Sequence, residues 1–358
     1  MDAESIKKRV KAVRARFDGK RIDALILTRP VDVSYLTGFS GEDSWVVVTR
    51  SSTYLLTDSR YTEQAQKECV RTTIVERTGS IVEAAGRLLG RLKSVESAGV
   101  EKSVSLATYQ ALKKQLDMPL KGIDSPTAPA RARKDDGELA TIRSAVAIAT
   151  AALEEVLGRI EPGVSESELA GILDLEVRKR GAGNSFDTIV AFGANGSRPH
   201  HQPTGRRLKW RDAVLIDFGA RYNGYCSDIT RSFALGKPTP AYRQAWEVTE
   251  KAQMAAIATA RPGVKLTEVD AAARNVIRES GLPVYGHGTG HGLGLEIHET
   301  PFLKEGAKGK LEPGQVITIE PGVYIPGKLG IRIEDDVLIT HTGCEILTRE
   351  CPHRRMLG

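Results

Sequence analysis

Between residues 213 and 235 the chain reads Ala213-Val-Leu-Ile-Asp-Phe-Gly-Ala-Arg-Tyr-Asn-Gly-Tyr-Cys-Ser-Asp-Ile-Thr-Arg-Ser-Phe-Ala-Leu235, two β-forming apolar stretches divided by Asn223-Gly224. Asn-Gly in that setting is the strongest short-range hairpin signal. With those two residues as the turn, Tyr222 faces Tyr225, Asp217 faces Thr230 and Asp228 faces Gly219. Side chains alternate along a strand, so Asp217 and Asp228 share one face as diagonal neighbours. Two carboxylates on one face of an apolar hairpin repel each other and resist desolvation, and the pattern calls for a bound cation or a basic partner.

The rest of the pattern falls into two parts. Residues 4–17 read as a charged amphipathic helix. Strands follow at 24–28, 44–49, 53–57, 72–75 and 98–100, interleaved with helices at 60–69, 81–93 and 105–116. This alternation predicts an N-terminal α/β domain over 1–124. It holds no phosphate loop or nucleophile motif, so its expected role is structural. Residues 125–137, with prolines and small side chains, read as a linker, and 138–358 form the second domain, opening on a long helix at 138–159.

The second domain repeats itself. Glu161-Pro-Gly-Val returns 100 residues later as Arg261-Pro-Gly-Val, with Glu168, Arg178 and Gly181 recurring as Glu268, Arg278 and Gly281. Each copy follows a helix (138–159; 241–260) and opens another, the first with a Ser165…Glu168 capping box. Each helix ends near a Gly placed as a C-cap, and each copy closes with a two-strand unit, 213–235 and 315–339. The fold class is therefore α+β, an α/β domain followed by a duplicated helix-helix-β domain whose sheets face a common centre.

Length and composition set bounds on function. The chain has 358 residues, net charge +6 and 41% hydrophobic residues, which fits a two-domain globular protein. Basic residues are dispersed among acidic ones, so neither nucleic acid nor a membrane surface is an expected partner. Four cysteines show no paired spacing, which fits a reducing compartment, and Met1-Asp-Ala-Glu-Ser-Ile has no apolar leader character. The expected location is cytoplasmic.

The second copy adds more acids. Glu320 and Glu334 lie on β-forming runs an even count apart, and a bend near Gly327 lets them share a face. Between the hairpins lies Tyr285-Gly-His-Gly-Thr-Gly-His-Gly-Leu-Gly-Leu-Glu-Ile-His-Glu299, which gathers three of the seven histidines. Its glycines exclude a zinc-protease helix, and no strand-loop-helix context supports a dinucleotide loop. Four carboxylates and an imidazole make a mostly oxygen donor set that balances two divalent cations, Mn²⁺ or Co²⁺ first, with Zn²⁺ or Fe²⁺ as alternatives. The reaction class is amide or peptide hydrolysis.

Ile216-Asp-Phe-Gly-Ala, Tyr225-Cys-Ser-Asp-Ile-Thr-Arg, the 286–299 run, Ile319-Glu-Pro-Gly and Ile331-Arg-Ile-Glu-Asp together resemble the pita-bread metallopeptidases, specifically Xaa-Pro aminopeptidases and prolidases. The resemblance spans the whole chain, with Tyr35-Leu-Thr-Gly-Phe39 similar to a stretch common in their N-terminal domains. It implies Asp217, Asp228, His291, Glu320 and Glu334 as metal ligands, with Asp228 and Glu334 bridging and Glu320 doubling as proton shuttle. It implies His200 and His298 as binders of the scissile carbonyl and oxyanion, His287 as a pocket histidine, and Thr230 and Arg332 as supports of the carboxylates. His201 rivals His200, and only spacing favours the latter. His341 and His353 read as surface or turn histidines.

The implied substrate is a peptide with proline in second position, and the implied assembly is a homodimer. Family dipeptidases often carry Arg soon after the His-Glu pair, whereas this run is His298-Glu-Thr-Pro-Phe302. That departure makes longer Xaa-Pro peptides plausible beside dipeptides. The alternatives are a methionine aminopeptidase-like enzyme, a creatinase-like C–N hydrolase, and a non-catalytic pita-bread binding protein. The N-terminal domain speaks against the first and the complete ligand set against the other two.

Overall fold

The computed structural model describes residues 3–357. The chain divides into two compact units, the first ending at Ala130 and the second beginning at Arg131. The first unit contains, in order, α1 (Ala3–Arg14), α2 (Phe17–Lys20), β1 (Ala24–Leu27), α3 (Pro30–Thr37), β2 (Trp45–Thr49), β3 (Thr53–Thr57), α4 (Thr62–Glu68), β4 (Thr73–Glu76), α5 (Ile81–Arg91), β5 (Ala98–Glu101), α6 (Leu106–Gln115) and β6 (Leu120–Ile123). The strands make one mixed sheet in the order β4-β3-β2-β1-β5-β6. β1, unbroken Ala-Leu-Ile-Leu, is fully buried, as a central strand covered on both faces requires. Ser80 and Ser105 cap α5 and α6 by accepting from Glu83 and Thr108 backbone N–H groups.

Three elements here escape the periodicity, the single turn of α2 being too short to show one. Five of the eight residues of α3 are buried, so it lacks the polar face that marks a surface helix; only Pro30 at its start and Gly38 after its end signal it. β6 is short and largely solvent-facing at the sheet edge, with no apolar run to betray it.

A short helix, α7 (Ala128–Arg131), lies where the two units join. The first copy of the repeat comprises α8 (Asp136–Leu157), α9 (Glu166–Lys179), β7 (Gly183–Asn184), β8 (Ile189–Phe192), a 3₁₀ turn at Gly193–Ser197, β9 (Ala213–Phe218), β10 (Ala220–Tyr222), β11 (Tyr225–Cys226) and β12 (Ile229–Leu235). The second comprises α10 (Pro240–Thr259), α11 (Leu266–Glu279), β13 (Gly290–Gly292), β14 (Glu299–Leu303), β15 (Val316–Ile319), β16 (Gly322–Ile325), β17 (Leu329–Arg332) and β18 (Asp335–Ile339). β19 (Cys344–Ile346) and β20 (Met356–Leu357) follow.

The duplication is visible at the level of single hydrogen bonds. In the first copy Gly163 N donates to Leu208 O at 2.9 Å and Leu208 N to Val164 O at 2.8 Å. In the second, Gly263 N donates to Leu311 O at 2.9 Å and Leu311 N to Val264 O at 2.8 Å. Each Pro-Gly-Val stretch thus makes the same tight entry into its second helix. The capping boxes are less symmetric: Asp135–Glu138 and Ser165–Glu168 close theirs, whereas Lys265 at the start of α11 offers no side-chain cap. Each copy packs its helices on its strands around its own apolar core, the second core also taking in Ala213 and Ala234 of the first copy.

Both hairpins adopt the expected register, Asp217 opposite Thr230 and Tyr222 opposite Tyr225. The second places Ile319 opposite Asp335 and Gly322 opposite Arg332. Neither runs continuously, however. The expected Asp228–Gly219 pair is absent from the ladder, because β10 leaves β9 to join β7 in another sheet. Ser227 N donates to Ala220 O at 2.9 Å across the break. A Cβ at Gly219 would lie 1.9 Å from Ser227 O, so only glycine permits this kink. Glu320 and Glu334 flank the corresponding break in the second hairpin.

Gly219→Ala must therefore move backbone rather than a flexible side chain. It is expected to destabilise by about 3 kcal/mol, the upper end of an ordinary overpacking substitution. Chemical denaturation measures this, and an unchanged midpoint would show that the kink is soft.

Candidate metal centre

The breaks in the hairpins turn acids towards one another. Asp228, His291 and Glu334 each present a ligand atom within 4.8 Å of the others, and all three are buried. Asp228 and Glu334 come from the two hairpins, and His291 comes from β13, whose neighbours His287 and Thr289 belong to the glycine-rich run. Glu320 stands beside them, its Oε1 3.4 Å from His291 Nε2, and Asp228 Oδ2 lies 3.6 Å from the same nitrogen.

The tautomer of His291 follows from its other contact. Nδ1 lies 3.1 Å from the carbonyl oxygen of Gly292, which can only accept, so Nδ1 carries the proton and Nε2 turns a lone pair towards the acids. Burial drives its pKa down to about 4, helped by neighbouring His298, so the ring is neutral. A neutral imidazole with a backbone-bonded Nδ1 is the form a metal requires.

Asp217 lies on β9 against the same cluster, but its Oδ2 accepts a hydrogen bond from Arg332. Its Oδ1 is buried without a hydrogen-bond partner. Arg332 also donates from Nε to Thr230 Oγ1 at 3.0 Å, and Thr230 Oγ1 donates to Glu334 Oε2 at 2.6 Å. Arg332 on the second hairpin thus holds an acid of the first, while Thr230 on the first holds an acid of the second. Asp228 is fixed through its backbone as well, its N–H donating to Asp336 Oδ2 at 3.1 Å.

By themselves these acids are electrostatically unfavourable. Burial first, then the charges of Glu334, Asp217, Asp336 and Glu320, push the Asp228 carboxyl well above its ordinary range. Burial and the charges of Glu320 and Asp217 do the same to Glu334. Glu320 is raised to about 7 by burial, with Arg332 opposing. Mutual repulsion, an orphaned carboxylate oxygen and a correctly poised imidazole are what a hard divalent cation relieves, so the residues fit such an ion.

Around this cluster the other histidines sort themselves. His287 Nδ1 lies 2.7 Å from Gly288 O, so Nε2 accepts from the Tyr324 hydroxyl at 3.0 Å. Tyr324 in turn accepts from Arg332 Nη1 at 2.9 Å. Burial pushes Tyr324 up to about 12, which keeps its hydroxyl protonated. His298 is exposed and packs edge-on against His291, ring centroids 4.4 Å apart. Burial, then the proximity of His200, lowers its pKa. His200 is exposed, whereas His201 is buried with Nε2 2.9 Å from Glu166 Oε2. His353 stacks on Trp246, and His341 is exposed.

Sequence reasoning missed Tyr324, Asp336 and Glu166. Tyr324 carried a signal: it lies four residues after Glu320 on a β run, hence on the same alternation. Asp336 passed as one acid of a Glu-Asp-Asp run, and Glu166 passed as a first-turn acid of α9. Nothing local marks either as buried.

Residues 140–341 match metallopeptidase family M24, and residues 9–133 match the creatinase/prolidase N-terminal domain. The chain is 34% identical over 345 residues to an Xaa-Pro dipeptidase of Pyrococcus horikoshii, the match covering 95% of this chain and 97% of that protein. Among solved structures it is similar to an Xaa-Pro dipeptidase from Bacillus anthracis (36% identity, TM-score 0.94, 98% of this chain and 99% of that one). It is also similar to an X-Pro aminopeptidase from Thermotoga maritima (35% identity, TM-score 0.87, 94% and 97% covered).

Asp228→Ala removes a donor shared by the whole cluster. The expected result is loss of bound divalent metal, read by elemental analysis, with the circular dichroism of the folded chain retained. In the wild type, added Mn²⁺ should raise the thermal midpoint and a chelator should reverse it. Unchanged metal content in the variant would displace the centre from this cluster.

Proposed function

This chain belongs to metallopeptidase family M24, and on that premise we propose that it hydrolyses the bond between a peptide's N-terminal residue and a following proline. The observation that carries the reading is the buried cluster of Asp228, His291 and Glu334, whose ligand atoms lie within 4.8 Å of one another. The similarity to proteins named Xaa-Pro dipeptidase and X-Pro aminopeptidase supplies the proline.

Family membership implies divalent metal. In this reading Asp217, Asp228, His291, Glu320 and Glu334 would hold two such ions. When bound, the ions supply an acidified water and polarise the scissile carbonyl. Mn²⁺ or Co²⁺ suits the oxygen-rich donor set. Glu320 takes the proton of the attacking water and returns it to the departing proline nitrogen, a role its partly exposed carboxylate supports. His200 and His298 donate N–H groups to the carbonyl oxygen as it becomes an oxyanion, and their exposure, with His298 packed on His291, supports this. Arg332, Thr230 and Tyr324 keep the acids and His287 in one arrangement.

Peptide length is decided beyond His298. β14 alternates buried and exposed positions, so Thr300 and Phe302 share the exposed face, and His298 continues that alternation. Phe302 offers apolar surface there, with the Lys304 ammonium 5.7 Å from its ring centroid. The ring suits a residue that follows proline and the ammonium suits a dipeptide's free carboxylate, so the reading takes in both lengths. A cytoplasmic homodimer completes the reading, supported for the compartment by four unpaired cysteines.

A cleavage panel of Xaa-Pro dipeptides against Xaa-Pro-Xaa tripeptides, run with Mn²⁺ and Co²⁺, tests the substrate; no turnover of either would remove the assignment. His298→Ala should keep its metal and lose on the order of 10²–10³-fold in kcat. Phe302→Arg should shift the kcat/KM ratio towards dipeptides by roughly tenfold, since a charge-assisted hydrogen bond to a free carboxylate contributes about 1.5 kcal/mol. An unshifted ratio would place the length determinant elsewhere.

A further inference from the structure

His200 forms no hydrogen bond among the described residues, so its imidazole is positioned by the backbone that carries it. That backbone, the segment from Gly193 to Thr204, converges on a single side chain. Glu166, the first residue of α9, is fully buried. Its Oε1 accepts from Phe192 N and Asn195 Nδ2, both at 2.8 Å. Its Oε2 accepts from His201 Nε2 at 2.9 Å, Thr204 N at 3.0 Å and Thr204 Oγ1 at 2.6 Å. The donors come from the strand before the segment, from its 3₁₀ turn, from the residue next to His200 and from its far end.

Contacts from the second copy grip the other side. A Cβ at Gly330 would lie 1.7 Å from Gly196 O, so the 3₁₀ turn and β17 touch backbone to backbone. Ser197 Oγ accepts from Gly327 N at 3.3 Å, and Pro199 O accepts from Arg332 Nη1 at 3.4 Å. The segment is thereby held between α9 of one copy and the β16–β17 hairpin of the other, with Glu166 as its largest single anchor.

We propose that Glu166 is a positioning residue for the reaction, acting through His201 and the 193–204 backbone to aim His200 at the substrate carbonyl. The proposal rests on the role given to His200 above. The chemistry demands a carboxylate at this position. Glu166 meets five donors and can satisfy them only as an acceptor at both oxygens. Burial works against its charge, but the hydrogen bonds from His201, Thr204, Phe192 and Asn195 outweigh it and keep the carboxyl below its usual range. A glutamine of the same shape turns one oxygen into a donor and sets it against two or three donors.

The test is a double-mutant cycle. Glu166→Gln should lower the thermal midpoint, since a buried donor then faces donors, and should lower kcat about tenfold while KM and metal content stay near wild type. His200→Ala should lower kcat on its own, and Glu166→Gln added to it should cause no further loss, because the group it aims is gone. An equal loss in both backgrounds, full activity in the single variant, or loss of metal with activity would each overturn the proposal. Full activity of His200→Ala would instead overturn the role of His200. Should Glu166→Gln fail to fold, Thr204→Val removes one of the five donors, together with the acceptor of Arg206 N. It should lose about threefold in kcat in the wild-type background and nothing in the His200→Ala background, and any other pattern overturns the proposal.

Discussion

Acids that cannot stay charged together in a dry centre are the constraint behind the second unit. Asp228 and Glu334 are each 5% exposed or less, and Asp217 and Glu320 stand close enough to raise their pKa further. Without a cation such a cluster must hold protons, since an unpaired buried carboxylate costs several kcal/mol. With divalent ions the same repulsion becomes affinity. Arg332 cannot substitute for them, because its guanidinium reaches only Asp217 among these acids.

The repeat exists, in physical terms, to bring those acids together. One hairpin alone carries two carboxylates on strands that its own apolar core covers on one side. Facing a second hairpin gives four, and the strand breaks set Asp228, Glu320 and Glu334 where the ladder no longer consumes the backbone. The crossed contacts tie the halves at their most repulsive point: Arg332 reaches Asp217, Thr230 reaches Glu334, and Asp336 takes the Asp228 N–H. Each half therefore completes the other's site, and moving either by an ångström would disturb both.

Histidines divide the labour by what occupies their second nitrogen. His291 and His287 both hold a backbone carbonyl with Nδ1, yet one turns a lone pair to the acids and the other spends it on Tyr324. His201 is absorbed by Glu166, while its neighbour His200 is left exposed. The turn closed by His201 N on Arg198 O separates them, turning one ring to Glu166 and leaving the other exposed.

Local pattern was sufficient for much of the fold. Period-two alternation and Asn223-Gly224 determine the register that sets Asp217 opposite Thr230, and an even count across Gly327 does the same for the second hairpin. The Pro-Gly-Val recurrence reveals the duplication, since each copy needs the same turn into its second helix. Tertiary structure decided the rest. The break at Gly219 depends on β10 finding β7, the tautomer of His291 depends on a carbonyl one residue on, and the burial of Glu166 depends on donors up to 38 residues away. α3, with five of its eight residues buried and no polar face, had no periodicity to read. Sequence periodicity reports which face of an element meets the core; it carries no information on which particular polar atom of another element arrives there, and that is what assembles the centre.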